Sequence, residues 1–313
     1  MNEKEKFELI ARNTEEILTE ENLKELIRKK KSLIAYCGYE ISGAIHLGHL
    51  VTITKLLDLQ KVGFKIKILL ADIHTKLNKK IPEIDAWKNT IKAIGIKAEF
   101  VLGSDFQFTK EYLYDVFQLA QKVTLNRGLR SMQEVARDVE NATVSQIIYP
   151  LMQIVDVKHL KADVAVGGTD QRKIYMLGKE EAKLLDHNFI ALHTPLITSL
   201  KGPGQKMSSS IPGSNISVID SQEQIKKAIS QAYCPAGKAE DNPVLQIAKL
   251  IIIPHFGKLK ITRDKKFGGE IIYMTYKDLE SDYKKEALHP ADLKSAVVDS
   301  LEKLIAPIRK NFR

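Results

Sequence analysis

The sequence predicts an α/β fold, a doubly wound parallel sheet followed by a mostly helical C-terminal domain. Three observations carry that expectation. Short apolar runs edged by glycine or lysine alternate with segments of helical period over the first part of the chain, the pattern of buried strands joined by crossover helices. After about residue 215 the alternation stops and capped helices follow one another. The length of 313 residues suits about two domains.

Taken in order, the first 31 residues read as helix. Thr19 followed by Glu20 and Glu21 is a cap with acids in the first turn, and Arg28, Lys29, Lys30 and Lys31 set cations at the negative end of the dipole. The plainest account of that basic run is a solvated helix end. Residues 33–39 form a short apolar run, the first strand, and a turn through Ser42 and Gly43 leads into a helix carrying Leu47, Leu50, Val51, Ile53 and Leu57, with Gly63 as its stop. Further strands are expected at 64–71, 100–103 and 164–168, separated by helices at 84–94, 110–123 and 144–157. Pro150 lies inside the last of these; lacking an N–H, it is expected to kink that helix or begin a new one. The result is a Rossmann-like sheet over residues 1–215, whose ligands sit beyond the carboxyl ends of the strands.

In the second domain, 216–313, Ser221 with Gln224 is a capping box, and Asn242-Pro243 and His289-Pro290 each open a helix. The last helix has Leu293, Val297, Leu301, Leu304 and Ile305 on one face, and a single short strand is expected at 270–274.

Composition narrows the function classes. Hydrophobic content of 44% with 28% charged residues is that of a globular chain. The most apolar stretch, 247–253, is interrupted by Lys249 and is far too short for a membrane span, so no membrane partner is expected. The charged first residues are no secretory signal, and two cysteines make no disulfide framework, so a reduced cytoplasmic setting is the default. A net charge of +9 fits a plain basic enzyme and a protein with a polyanionic partner equally well.

Two motifs carry chemistry. His46-Leu47-Gly48-His49 lies at a strand-to-helix turn, where backbone N–H groups and the positive helix end favour a phosphate and glycine allows close approach. Two imidazoles one turn apart donate to oxygens whose charge grows in a transition state. A zinc pair is the competing reading, but a third ligand is lacking and no protein metal site is expected. The second motif is the glycine-flanked loop 201–210, with Lys206, Met207 and three serines from Ser208 to Ser210. Such a loop can carry a cation onto a polyphosphate.

Together these resemble the H-I-G-H and K-M-S-K-S signatures of the class I aminoacyl-tRNA synthetases, in order, setting and a separation of about 160 residues. The resemblance implies amino-acid activation by ATP. The second signature lacks its second lysine, a form seen in archaeal and eukaryotic tyrosine enzymes. Ile41 and Ala44 stand where those enzymes usually show Pro and Lys.

A tyrosine pocket must satisfy a buried phenol as donor and acceptor. Tyr36, ending the first strand, and Asp156, ending the helix that holds Tyr149 and Gln153, supply such partners, and Tyr149, Gln153 and Gln171 accept from the substrate ammonium. Gly167-Gly168-Thr169-Asp170-Gln171 closes the fourth strand with a carboxylate suited to ribose hydroxyls. Singly, Tyr36 reads as core and Asp156 as a helix-end acid; the set in register is similar to tyrosyl-tRNA synthetases of archaeal and eukaryotic type. That likeness implies that Leu69, His74, Phe106 and Gln107 border the tyrosine pocket. It assigns His46 and His49 to the phosphates, Lys206 and Ser208 to the leaving pyrophosphate, and Gly38, Glu40, Gly48, Gly168, Asp170 and Met207 to the ATP site. It implies ATP as a substrate with Mg²⁺ on its phosphates, no tightly bound cofactor, and tyrosine transfer to tRNA(Tyr).

On the RNA side, Lys258, Lys260, Arg263, Lys265 and Lys266 run into Phe267, and His289 and Asp292 open the last helix. By the same resemblance Phe267 and His289 stack on an anticodon base and Asp292 reads its edge, which makes 216–313 the anticodon-recognition domain, while Arg130 and Arg172 serve the acceptor stem. RNA rather than DNA is the expected nucleic acid, and a homodimer is implied, with the helix at 110–123 able to supply an interface. Two alternatives stand beside this reading: a nucleotidyltransferase sharing the H-x-G-H turn, and an RNA-binding scaffold descended from a synthetase.

Overall fold

In the computed structural model, which describes residues 1–30, 32–133, 143–209 and 211–311, the N-terminal segment is two helices rather than one. Helix α1 (Glu3–Ala11) is closed by a capping box from Asn2 and Glu5, strand β1 (Glu16–Leu18) follows, and α2 (Glu20–Lys29) starts at the expected Thr19 cap. The continuous helix is wrong because Glu15 and its successors bond to a distant strand instead of to one another: the Glu15 N–H donates to the His193 carbonyl at 2.8 Å. Lys30 caps α2 and pairs with Asp163 at 2.5 Å, so the basic run is in part a tie to the sheet; Lys31 lies outside the described residues.

The elements then follow as β2 (Ile34–Tyr39), α3 (Leu47–Val62), β3 (Lys65–Leu70), α4 (Asp72–Leu77), α5 (Ile84–Ala93), β4 (Ala98–Leu102), α6 (Lys110–Lys122), α7 (Leu125–Met132), α8 (Val144–His159), β5 (Val164–Gly168), α9 (Arg172–Glu180) and β6 (Ile190–Thr194). The third strand begins two residues before the expected position and ends before Gly103, which opens a 3₁₀ turn. Helix α8 runs unbroken through Pro150. One missing hydrogen bond is outweighed by the buried side chains of Leu151, Ile154 and Val155, which pack with Tyr112, Leu119 and Leu177 in one core cluster.

The six strands form one sheet of order β1-β6-β5-β2-β3-β4, parallel except for β1. The doubly wound fold class is therefore as expected, although β1 and β6 were not. From the central β2 the chain runs outward through β3 and β4, then returns to build β5 and β6 on the other side. The order reverses between β2 and β5, the place where such sheets bind ligands. Pairing of β2 with β5 stops at Tyr36↔Ala165. Beyond it, β2 stays paired to β3 as far as Tyr39, and β5 to β6 as far as Gly168. The sheet thus parts at its carboxyl end between the two strands that carry Gly38 and Gly168.

The chain divides into two compact units: Met1–Gly43, Lys55–Lys88 and Gly95–Pro195 in one, and Ala44–Thr54, Asn89–Ile94 and Leu196–Arg313 in the other. The sheet belongs to the first. The second contains α10 (Gln222–Gln231), α11 (Pro243–Ile247), α12 (Ile253–Phe256), the hairpin β7 (Leu259–Ile261) and β8 (Ile271–Tyr273), α13 (Tyr276–Lys284) and α14 (Pro290–Lys310). The capping box at Ser221, the Asn242 cap and the His289 cap all form. The expected strand at 270–274 is β8, shorter at both ends, and its partner β7 is an addition. Between α11 and α12 the helix widens into a π segment, Ala248–Ile252, just ahead of Pro254, a proline that cannot supply the next N–H. Among the described residues no helix is long and apolar enough to cross a membrane.

Candidate active site

In the first unit, the residues expected around a phenol come together and are desolvated. Tyr36 and Asp156 are each 1% exposed and Gln107 is fully buried. Tyr36 lies in the middle of β2, not at its end. Its hydroxyl turns back toward Gly38, where a Cβ would stand 2.6 Å from the hydroxyl oxygen; glycine there makes room for Tyr36. Gln107 donates from Nε2 to Asp156 Oδ1 at 2.8 Å, and the Tyr112 hydroxyl reaches the same oxygen at 2.8 Å. Asp156 Oδ2 and Gln107 Oε1 are buried and have no hydrogen-bond partner among the described residues. Burial pushes the Asp156 carboxyl up to about 7, against the opposing pull of Gln107 and Tyr112. Burial, with Asp156 nearby, also raises the Tyr36 and Tyr112 hydroxyls, so both stay protonated at neutral pH.

Leu69 of β3 packs in one cluster with Tyr36, and His74 of α4 is buried. His74 meets the Tyr149 ring edge-on at 4.3 Å, and burial holds its imidazole down to about 4, hence neutral. Phe106 packs edge-on against Tyr112 at 5.4 Å. Gln153 donates to Gln171 Oε1 at 3.1 Å, and Gln171 in turn reaches Asp170 Oδ1 at 3.4 Å. These amides and Asp170 make an acceptor-rich rim just past Gly168, where β5 ends. Glu40, beyond β2, is held by Asn78, Lys80 and Ser42. Ile41 uses an N–H that a proline would lack: it donates to Thr75 Oγ1 at 3.1 Å.

The second unit carries the signature segments. His46 pairs as a β-bridge with Ser217, and Leu47 at the start of α3 donates to the Ile216 carbonyl at 3.0 Å. The expectation of an anion cradle made of open backbone N–H groups is not met. The Gly48 N–H goes to His46 Nδ1 at 3.1 Å, and those of His49 and Leu50 to the His46 carbonyl. His46 Nδ1 accepts from Gly48, and His49 Nδ1 accepts from the His46 N–H at 3.3 Å. With Nδ1 accepting in each ring, the neutral form of either would carry its proton on Nε2. The rings lie 3.9 Å apart, and burial takes His46 down to about 4. Gly48 is required, since a Cβ would stand 2.8 Å from His46 Cε1.

Lys206 pairs with Thr198 in a second bridge, with Met207 donating to the Ile197 carbonyl at 2.8 Å. Met207 is buried while Lys206 is exposed. Ser208 is clamped by the fully buried Ser214, whose hydroxyl donates to the Ser208 carbonyl at 2.5 Å and accepts from its N–H at 3.3 Å. Ser210 lies outside the described residues.

Of the residues expected to meet RNA, Phe267 is 61% exposed with Lys266 Nζ 4.9 Å above its ring. His289 is exposed and caps α14 through Nδ1, with Asp292 in the first turn. Lys260 is paired with Glu270, and Arg263 is committed to the Gly269 and Ala287 carbonyls, so the basic segment presents fewer open cations than its composition suggests. Arg130 is exposed and reaches the Asn126 carbonyl at 3.4 Å. Arg172 forms a two-bond ion pair with Glu16, at 2.7 and 2.8 Å.

Sequence reasoning missed Tyr112, Ser214 and the Asn78–Lys80 hold on Glu40. Tyr112 shares a helix face with Val116 and Leu119, so its spacing signals core and nothing more.

Residues 28–306 match the family profile described as tRNA synthetases class I (W and Y). The chain is 50% identical to the tyrosine–tRNA ligase of Archaeoglobus fulgidus, with 98% of each chain covered. It is 48% identical to that of Methanocaldococcus jannaschii, with 98% of this chain and 100% of the relative covered. Among solved structures, the A. fulgidus tyrosyl-tRNA synthetase complexed with L-tyrosine superposes with a TM-score of 0.96 at 49% identity, each chain covered completely.

Proposed function

The chain belongs to the class I tRNA synthetases of the tryptophan and tyrosine family, and from that premise we infer that it is a tyrosine–tRNA ligase of archaeal type. Asp156 Oδ2 is the observation that carries the choice of tyrosine. It is a buried acceptor without a partner among the described residues, beside the buried Tyr36, and such an atom rewards a ligand that brings a hydroxyl. An indole N–H could donate to Oδ2 but, unlike a phenol oxygen, could not at the same time accept from the Tyr36 hydroxyl.

In the first step the tyrosine carboxylate attacks the α-phosphorus of ATP. The bond to the bridging oxygen breaks, and pyrophosphate leaves. Catalysis is positioning and charge stabilisation. Tyr36 and Asp156 take the phenol, with Leu69, His74 and Gln107 shaping the pocket. Tyr149, Gln153 and Gln171 take the ammonium. Asp170, Gly168, Gly38 and Glu40 take the nucleoside. His46 and His49 donate from Nε2 to the phosphates next to Gly48, Lys206 and Ser208 meet the leaving pyrophosphate, and Met207 borders the ATP site. Mg²⁺ enters on the ATP phosphates; the chain's own groups near them, imidazole Nε2–H and lysine, are donors and suit phosphate oxygen. In the second step a terminal ribose hydroxyl of tRNA(Tyr) attacks the mixed anhydride and AMP leaves.

Residues 1–215 act as the catalytic domain and 216–313 as the anticodon reader, where exposed Phe267 and His289 offer stacking surfaces and Asp292 an edge-reading carboxylate. Arg130 and Arg172 serve the acceptor stem, Arg172 with its charge partly offset by Glu16. The protein works in the cytoplasm as a homodimer. Exposed Phe108, Leu113, Tyr114 and Phe117 on and beside α6 support that assembly, since an apolar patch of this kind marks an interface. Tyrosine-dependent ATP–pyrophosphate exchange tests the whole reading: exchange with tyrosine, and little with tryptophan or phenylalanine, is the expected result. A nucleotidyltransferase or a non-catalytic scaffold would give none.

A further inference from the structure

Asp156 offers two oxygens, and the protein treats them differently. Oδ1 is met by Gln107 Nε2 and by the Tyr112 hydroxyl, each at 2.8 Å; Oδ2 is met by neither. The Tyr112 hydroxyl also lies 2.9 Å from the Met152 carbonyl. That is one hydroxyl proton set between two oxygens, one of which, the carbonyl, can only accept. The arrangement has two self-consistent proton placements. With Asp156 ionised, Tyr112 donates to Oδ1. With Asp156 protonated, the proton sits on Oδ1 and goes to the Tyr112 oxygen, while Tyr112 donates to Met152. In both, Oδ2 keeps its lone pairs. The ring of Tyr112 is fixed for this by Phe106 at 5.4 Å and by His159 at 5.0 Å, and His159 is itself bonded to Asp115 at 3.1 Å.

Resting on the tyrosine–tRNA ligase reading above, we propose that Tyr112 is a positioning residue for tyrosine selection: it engages Asp156 Oδ1 in either protonation state and so keeps Oδ2 an acceptor for the substrate phenol. Without it, a protonated Asp156 is free to carry its proton on Oδ2. The pocket would then oppose a phenol O–H with a second donor. The burial that raises Asp156 to about 7 places this within the working pH range. The other ionisable groups facing Asp156 are Tyr36 from β2, Tyr149 from its own helix and Tyr175 from α9, with Asp115 and His159 behind Tyr112. The tyrosines among them are raised by burial, so they do not titrate in the same interval.

The experiment compares wild type with Tyr112→Phe in tyrosine-dependent pyrophosphate exchange from pH 6 to 8. At pH 8 the KM for tyrosine is expected to rise roughly tenfold, from one lost hydrogen bond to a charged group, with kcat at saturating tyrosine nearly unchanged. Towards pH 6 the ratio of wild-type to variant kcat/KM grows further. A role confined to packing would give a ratio that does not depend on pH, and that result overturns the proposal. Wild-type tyrosine affinity by calorimetry keeps the test independent of the variant's folding: it is expected to stay level from pH 8 to 6, and a fall of about tenfold through pH 7 would also overturn it. Absence of wild-type exchange, by contrast, overturns the ligase reading itself.

Discussion

Asp156 is 1% exposed and the donors it meets are buried with it, whereas Lys206 stands exposed on a backbone bridge. The two regions meet opposite demands. In the tyrosine-side group, side chains are removed from water and two oxygens, Gln107 Oε1 and Asp156 Oδ2, are left without partners among the described residues. Each missing bond is then expensive, and a ligand that supplies it is chosen strongly over one that does not. In the signature segments the backbone holds the shape: His46 bridges Ser217, Lys206 bridges Thr198, and Ser214 clamps Ser208. The groups proposed to meet phosphate are donors, and Lys206 reaches solvent. Discrimination calls for desolvated acceptors held still. Charge stabilisation calls for cationic donors that can meet a hydrated polyphosphate.

Separating the two functions by substitution tests the contrast. The largest effect is expected for Lys206→Ala, which lowers kcat for tyrosine-dependent exchange by about 10²–10³ and leaves the tyrosine Kd by calorimetry where it was. A parallel loss of tyrosine affinity would break the division of labour. Asp156→Ala is the converse: kcat/KM for tyrosine falls on the order of 100-fold, discrimination against phenylalanine collapses, and the KM for ATP holds. Unchanged exchange with tyrosine in that variant would end the case for Asp156 as the selector.

The stability of the ligand-free protein supplies a third test. Asp156 is raised from 3.8 to about 7 in the folded chain. Its contribution to stability is therefore present in full below pH 3.8 and lost as pH rises through about 7. Asp156→Asn, which cannot ionise, is expected to gain on wild type between pH 5 and pH 8 by an amount on the order of 2 kcal/mol, read from urea midpoints. Equal midpoint shifts at the two pH values would mean that burial exacts no charge penalty here. The smallest effect concerns exposed cations beyond the signature segments. Lys265→Ala with Lys266→Ala is expected to flatten the salt dependence of tRNA binding by about two in slope; an unaltered slope means that neither touches a phosphate.

The same contrast explains what could be read in advance. Thr19, Ser221, Asn242 and His289 were legible as caps because a cap joins residues two or three apart. Most of the buried strands were legible because alternation with helices is a local pattern. The proposed tyrosine site was named only through a resemblance that put Tyr36, Asp156 and Gln171 in one set. Its supporting bond could not be read that way: Tyr112 and Asp156 are 44 positions apart, and a tyrosine on an apolar helix face looks like any other core residue. Strand β1 failed for a related reason. Its three residues are a strand only because β6 lies beside them.

By itself, then, the amino-acid order determined the α/β class, the capped helix starts at Thr19, Ser221, Asn242 and His289, and the two signature motifs, all of which depend on neighbours within a turn or on the period of apolar residues. Tertiary structure alone decided which oxygen of Asp156 is left without a partner among the described residues and that the first-turn N–H groups of α3 are already taken. It also decided that Arg172 pairs with Glu16, 156 positions away. Those outcomes turn on desolvation and on bonds between distant segments, and neither exists until the chain has closed on itself.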